Sequence, residues 1–189
     1  MRVIAGLARG IPLYTPGTDL RPTMEIVKNA IFNSLLEVVP DARVLDLFAG
    51  SGSLGIEALS RGASTCVFVE ENRKACDAIR RNLEKTKLSG GDIHNADVIQ
   101  WLEKSAPAST FHIILADPPY AKRPGERDFT PELLFSAGLR RALVPGGIFV
   151  LEHLPGATLP LEGRWECLRQ KRYGATEVAL LRAIEPGIL

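Results

Sequence analysis

The sequence predicts an α/β fold: a doubly wound, mostly parallel sheet that ends in an antiparallel hairpin and is preceded by a short N-terminal arm. Three observations carry this. From Arg43 to Glu152, apolar runs of strand length alternate with segments of helical periodicity, the order that builds a parallel sheet with helices on both faces. The stretch Arg43-Val44-Leu45-Asp46-Leu47-Phe48-Ala49-Gly50-Ser51-Gly52-Ser53-Leu54-Gly55 passes from an apolar run through three glycines into Ile56-Glu57-Ala58-Leu59, which reads as strand, tight turn and helix N-terminus. Near the end, Trp165–Tyr173 and Val178–Arg182 are strand-like runs joined around Gly174-Ala175 with no helix between them, so they should pair antiparallel.

Taken in order, residues 2–13 alternate short apolar stretches with Gly6, Gly10 and Pro12, as a small hairpin or irregular arm would. Thr23 is placed to cap a helix whose apolar positions Met24, Val27, Ile31, Leu35 and Val38 recur at three- and four-residue steps. Pro40 and Asp41 break the chain before the central strand. Ser64–Glu70 reads as a strand and Asn72–Lys85 as a helix with Cys76, Ile79 and Leu83 on one face. Gly90-Gly91 leads into a short strand near Ile93, Asp97–Lys104 is helical, and Phe111–Ala116 is a buried strand. Residues 130–143 read as helical, and Gly147–Glu152 as a strand after a Pro-Gly-Gly turn. The whole chain, 1–189, is expected to be one domain, with an arm over 1–23 and a core over 24–189.

Composition is that of a soluble globular protein: 46% hydrophobic, 24% charged, formal net charge +1. A charge so near neutral excludes a strong overall field for nucleic acid, so such contact must come from local clusters. There is no apolar run of membrane-spanning length and no signal-peptide core at the N-terminus, which predicts a cytoplasmic protein. Cys66, Cys76, Cys167, His94, His112 and His153 are scattered; neither a disulfide framework nor a metal site is expected.

The glycine turn implies a ligand. Gly50-Ser51-Gly52-Ser53-Leu54-Gly55 fits the dinucleotide fingerprint G-x-G-x-x-G, and Glu70 ends the next strand where an acid would take ribose hydroxyls. Both NAD and S-adenosylmethionine carry a ribose. Asp46, inside the strand before the turn, separates them: it would repel a pyrophosphate and attract the ammonium of a methionyl group. The antiparallel end of the sheet likewise matches the layout of S-adenosylmethionine-dependent methyltransferases.

Asp117-Pro118-Pro119-Tyr120 follows the strand Phe111–Ala116, at a carboxyl end where doubly wound sheets hold ligands. Consecutive prolines fix φ and remove N–H donors, leaving a rigid turn that presents carbonyl oxygens. The exocyclic amine of a base is a poor nucleophile because its lone pair is delocalised. An acid and a proline carbonyl, each accepting one N–H, can turn that lone pair toward a sulfonium methyl while Tyr120 stacks on the base.

These motifs, with Arg2-Val3-Ile4-Ala5-Gly6, Arg9-Gly10, Leu20-Arg21-Pro22-Thr23, Asp46–Ala63 and Tyr173-Gly174, resemble the bacterial family that methylates the N2 amine of a guanine in small-subunit (16S) ribosomal RNA. The resemblance implies a Rossmann-like methyltransferase fold using S-adenosylmethionine. It assigns the methionyl part to Asp46 and the turn at Phe48, Gly50 and Gly52, the ribose to Glu70, and the adenine to Asp97 and Val98. Asp117, Pro118 and Tyr120 would hold the guanine, and Arg21–Thr23 would close over the site, with Thr23 against the cofactor. RNA contacts are expected from Arg2, Arg9 and Arg21 and, beside the catalytic loop, from Lys122 and Arg123. The expected partner is ribosomal RNA within an assembled or partly assembled small subunit, met by a monomer, and the arm is expected to be removable without loss of cofactor binding. One departure is Ile11, where the family tends to have a basic residue. Rival readings are an adenine-N6 DNA methyltransferase, a protein glutamine methyltransferase, a nicotinamide-dependent oxidoreductase and a non-catalytic scaffold. Asp46 and the Pro-Pro turn argue against the oxidoreductase, and the intact Asp117 against the scaffold.

Overall fold

The computed structural model describes residues 1–15, 22–121, 123 and 125–184. Runs rich in Val, Ile, Leu and Phe, which suit a sheet buried on both faces, form β1 (Arg43–Leu47), β2 (Thr65–Glu70), β4 (Phe111–Ala116) and β5 (Leu143–His153), with the shorter β3 (Gly91–Asn95) beside β2. These five pair parallel. β6 (Trp165–Tyr173) and β7 (Thr176–Ala183) add antiparallel, giving the order β3-β2-β1-β4-β5-β7-β6. The chain leaves β1 in one direction and returns at β4 on the other side, so the carboxyl ends of β1 and β4 lie together at the switch point where such sheets bind ligands.

Helices cover both faces. On one, α1 (Pro22–Ser34), α2 (Ser53–Ser60) and α3 (Arg73–Thr86) pack Ile31, Phe32, Ile56 and Ile79 against Val44, Phe68, Leu115 and Val150. On the other, α4 (Val98–Lys104), α5 (Phe129–Phe135) and α6 (Ala137–Ala142) set Leu102, Leu133 and Leu139 against Leu45, Leu47, Ile114 and Phe149.

Four local expectations change. α1 begins at Pro22, whose fixed φ suits the first helical position, so Thr23 lies inside the helix and is not its cap. The helix stops at Ser34, leaving Val38 beyond it and half-exposed. The helical stretch expected over 130–143 is divided into two helices, because Ser136 turns extended and its hydroxyl accepts the Leu139 N–H to start α6. β5 starts four residues earlier than Gly147, since Leu143 already pairs with Phe111 and the Pro-Gly-Gly segment is absorbed as a register shift before Ile148.

The arm differs most from expectation. Val3, Ala8 and Leu13 are core residues, and Arg2 bridges Pro12 in antiparallel fashion. The fully buried Glu57 of α2 accepts the N–H groups of Ile4 and Ala5 at 2.8 and 3.0 Å, Arg61 Nε at 2.7 Å and Lys28 Nζ at 3.2 Å. Ser60 accepts the Ala8 N–H and donates to the Ala5 carbonyl. Between these anchors Gly6 sits at φ +80°, where a Cβ would lie 1.7 Å from the Ser60 carbonyl oxygen. Ile11 packs inward against the same core, which accounts for an apolar residue at that position. The arm is therefore a wall of the α2 face, and its removal would strip that face instead of sparing the cofactor site.

Glu57→Ala should be severely destabilising, by about 3–5 kcal/mol, because it leaves the Lys28 ammonium buried without its partner. Urea unfolding checks this: the midpoint should fall well below that of Glu57→Ala combined with Lys28→Met, in which no buried ammonium is left behind.

Candidate active site

The strand-to-helix turn is held from beneath by Asp46. Its Oδ2 accepts the Gly55 N–H at 2.8 Å, and the side chain is almost wholly buried. Burial raises its carboxyl to about 8, with the charges of Asp117 and Glu70 adding to the rise and the Gly55 bond opposing it. Gly52, at φ +77°, caps α2 without a side chain. That leaves bare backbone at the helix start, where the peptide dipoles favour a negatively charged ligand group. Gly55 serves packing: a Cβ there would stand 2.3 Å from the Phe68 ring and 2.6 Å from Cys66 Sγ. Phe48 adopts φ +56°, a left-handed conformation that costs an L-residue roughly 1–2 kcal/mol, and its ring meets Phe129 edge-on at 4.8 Å.

Along the rim, Glu70 fastens the turn to the end of β2. Its two oxygens accept the Gly50 and Asn72 N–H groups, each at 2.8 Å. Asp97 caps α4 through the Gln100 N–H, and its other oxygen pairs with Arg127 at 3.2 Å. The Gln100 bond foremost, and Arg127 after it, hold its carboxyl below the usual range. Arg127 also pairs with Glu132 at 2.7 Å and lies over the Phe129 ring. Phe48, Phe129, Arg127 and Asp97 thus form one connected side of the site. Val98, by contrast, is buried in the core below.

Across the switch point, Asp117 leaves β4 beside a buried Pro118 and an exposed Pro119. Burial pushes its carboxyl up to about 6. Tyr120 hydrogen-bonds through its hydroxyl to Thr176 Oγ1, and burial pushes the phenol up to about 12. Glu152, also buried, stands one residue before the end of β5, and burial together with the Asp117 charge raises it well above the carboxylate range. Asp46, Glu70, Asp117 and Glu152 therefore line the carboxyl ends of four strands, and among the described residues no basic side chain forms an ion pair with any of them. Such a bowl fits a cationic ligand and opposes a pyrophosphate.

Arg2 and Arg9 line a groove of about 560 Å³ between the arm and the outer face of α1, together with Ile26, Asn29 and Asn33. Arg2 is paired with Glu25 at 3.4 Å, and Arg9 is exposed. Arg123 is exposed on the loop after Tyr120. Arg21 and Lys122 lie outside the described residues, and Thr23 is placed in the first turn of α1. Arg127, read from the sequence with Lys122 and Arg123 as a basic residue following the catalytic loop, is instead paired with Asp97 and Glu132. Sequence reasoning missed Glu152, Thr176 and Phe129. Glu152 carried the same signature as Asp46 and Glu70, an acid near the carboxyl end of an apolar strand, whereas the other two gave no local signal.

The family described as conserved hypothetical protein 95 matches residues 1–182. Ribosomal RNA small subunit methyltransferase D of Haemophilus influenzae is 31% identical over 183 residues, spanning 95% of this chain and 92% of that one. The chain belongs to the ribosomal RNA small subunit methyltransferase D family. YlbH of Bacillus subtilis, 37% identical over 186 residues, covers 96% of this chain and 98% of its own. The solved structure of yhhF from Escherichia coli superposes with a TM-score of 0.78 at 31% identity and covers 97% of each chain. The likeness to these relatives thus extends through the arm and the closing hairpin as well as the glycine turn. Among the described residues no helix is long and apolar enough to cross a membrane.

Gly55→Ala should lift α2 from β2 and loosen the Asp46 contact at once, costing about 1–3 kcal/mol as overpacking does. A lowered denaturation midpoint at unchanged slope is the expected readout.

Proposed function

We propose that this protein transfers a methyl group from S-adenosylmethionine to the exocyclic N2 amine of a guanine in small-subunit ribosomal RNA. The observation that carries the reading is the bowl of four acids, Asp46, Glu70, Asp117 and Glu152, which among the described residues has no basic partner and lies between a glycine turn and the Asp117-Pro118-Pro119-Tyr120 loop. S-adenosylmethionine supplies, when bound, a methyl group on a sulfonium cation. Asp46 and the turn at Phe48, Gly50 and Gly52 would hold its methionyl part, Glu70 its ribose, and Asp97 with the backbone at Val98 its adenine, under Thr23.

Asp117 and the Pro118 carbonyl each accept one N–H of the target amine, which turns the nitrogen lone pair out of conjugation, and Tyr120 supports the base from its face. Once the nitrogen carries the methyl group it must shed one proton, and the Asp117 carboxylate is the acceptor at hand. A guanine N2 is paired within a helix, so the base has to be free or flipped. A protein of net charge +1 has little electrostatic affinity for extracting it from arbitrary RNA. That favours a cytoplasmic subunit already part-assembled, met by a monomer, with the phosphates flanking the target held by Arg2 and Arg9 in the arm groove, by Arg123 after the loop, and by Arg21 and Lys122. Adenine N6 and a glutamine amide could use the same Asp-Pro-Pro-Tyr loop. Nucleoside analysis after incubation with small subunits decides: N2-methylguanosine is expected, and N6-methyladenine or methylglutamine as principal product would overturn the reading.

Turnover should decline as pH falls through about 6, because Asp117 gains its proton there and ceases to accept the amine N–H. The pH dependence of kcat checks this. Since Asp46 in the free protein holds its proton up to about 8, a cation binding against it should expel that proton. Calorimetry at pH 7 in buffers of differing ionisation enthalpy should register proton release, lost in Asp46→Asn, with affinity weaker by roughly 1.5–3 kcal/mol. Arg2→Gln with Arg9→Gln should raise the KM for subunits several-fold and leave cofactor affinity unchanged.

A further inference from the structure

Glu152 has no place in that mechanism, yet it is a buried acid on the last parallel strand, and its surroundings are unusually specific. β4 and β5 pair in register up to Ala116 and Leu151, so the next residue on each strand is Asp117 and Glu152. Alternation along the strands puts both on the face of Leu115 and Val150. The groups acting on Glu152 are Asp117 beyond β4, Asp46 on β1, and the hydroxyl of Thr176 on β7. The basic side chain buried on this face, Lys28 of α1, is engaged by Glu57, the Arg2 carbonyl and Ser53. Glu177, next to Thr176, is turned to the Gly156 N–H.

Thr176 is the junction. Its Oγ1 meets the Tyr120 hydroxyl, lies 3.5 Å from Glu152 Oε2 and lies 3.4 Å from the His153 carbonyl. One hydroxyl has one proton to give and two lone pairs to fill. Donation to the His153 carbonyl, with acceptance from Tyr120 and from a protonated Glu152, satisfies all three. Two neighbouring carboxyls, one buried and one half-buried, cannot both ionise cheaply, so one proton stays with the pair.

Resting on the methyl-transfer reading, we propose that Glu152 is a positioning residue of the site: it shares one proton with Asp117, so that a single carboxylate faces the amine, and through Thr176 it fixes the Tyr120 ring. Glu152 is buried whereas Asp117 is only partly so, and burial together with the Asp117 charge raises Glu152 well above the ordinary range, so Glu152 is the member placed to keep the proton. Asp117 is then left ionised to accept the amine N–H. When the amine sheds its proton the pair holds two, and one passes to solvent as products leave.

Two measurements test this, the first needing neither cofactor nor RNA. Infrared spectra of the free protein at pH 7 should contain a protonated-carboxyl band that Glu152→Gln removes, over and above any band from Asp46 that Asp46→Asn removes. A carboxyl spectrum unchanged by Glu152→Gln overturns the shared proton, whatever the substrate proves to be. In the second, single-turnover methylation by Thr176→Val should fall at least tenfold with cofactor affinity within a few-fold of wild type, and Thr176→Ser should restore it. Normal turnover in Thr176→Val overturns the link to Tyr120. Absence of methylation by the wild-type protein would instead count against the proposed function and leave the infrared result standing.

Discussion

The buried carboxylate of Glu57 is the contact on which the remaining architecture turns. It collects an ammonium from α1, a guanidinium from the residue capping its own helix and two backbone amides from the arm. Four donors around one carboxylate are what a charge needs to be stable without water. Because α2 is also the helix that opens the glycine turn, this one group fixes the arm, α1 and the floor of the site relative to one another. Asn82 of α3 repeats the device nearby, bonding both the Tyr14 backbone and the Ser51 carbonyl of the turn.

The site obeys the opposite electrostatic rule. At Glu57 every negative charge is answered by protein, whereas at the strand ends Asp46 and Glu152 are buried and Asp117 half-buried with no basic side chain against them among the described residues, and their carboxyls rise accordingly. The free protein manages this strain by holding protons. A cationic ligand can take the place of those protons, so ligand charge and proton occupancy are linked.

Fold class and much of the site were legible because the signals were local. Asp46, Glu70 and Asp117 each lie at or beside the carboxyl end of an apolar strand, and the glycine spacing marks the turn between β1 and α2. The arm was not legible in the same way. Its apolar residues are few and broken by glycine, and the groups that bind it, Glu57 and Ser60, lie more than fifty positions away. Lys28 gave a clue in hindsight, as a lysine inside an apolar helical stripe. Glu152 went unread because its meaning depends on Thr176, a neighbour only through the antiparallel pairing of β5 with β7. The break at Ser136 was missed because a serine within a helical pattern signals a cap only when the helix on its far side is known to be separate.

The closing hairpin has a consequence for behaviour at high concentration. β6 is an outer strand, and an outer strand is a template for another chain. Here it carries a register shift between Cys167 and Arg169, and its exposed positions include Arg169, Lys171 and Arg172. A second copy approaching edge to edge would meet an interrupted ladder and like charge. The sheet therefore ends where it stops growing, and added salt, by screening those cations, is the condition under which strand-to-strand association would first be met.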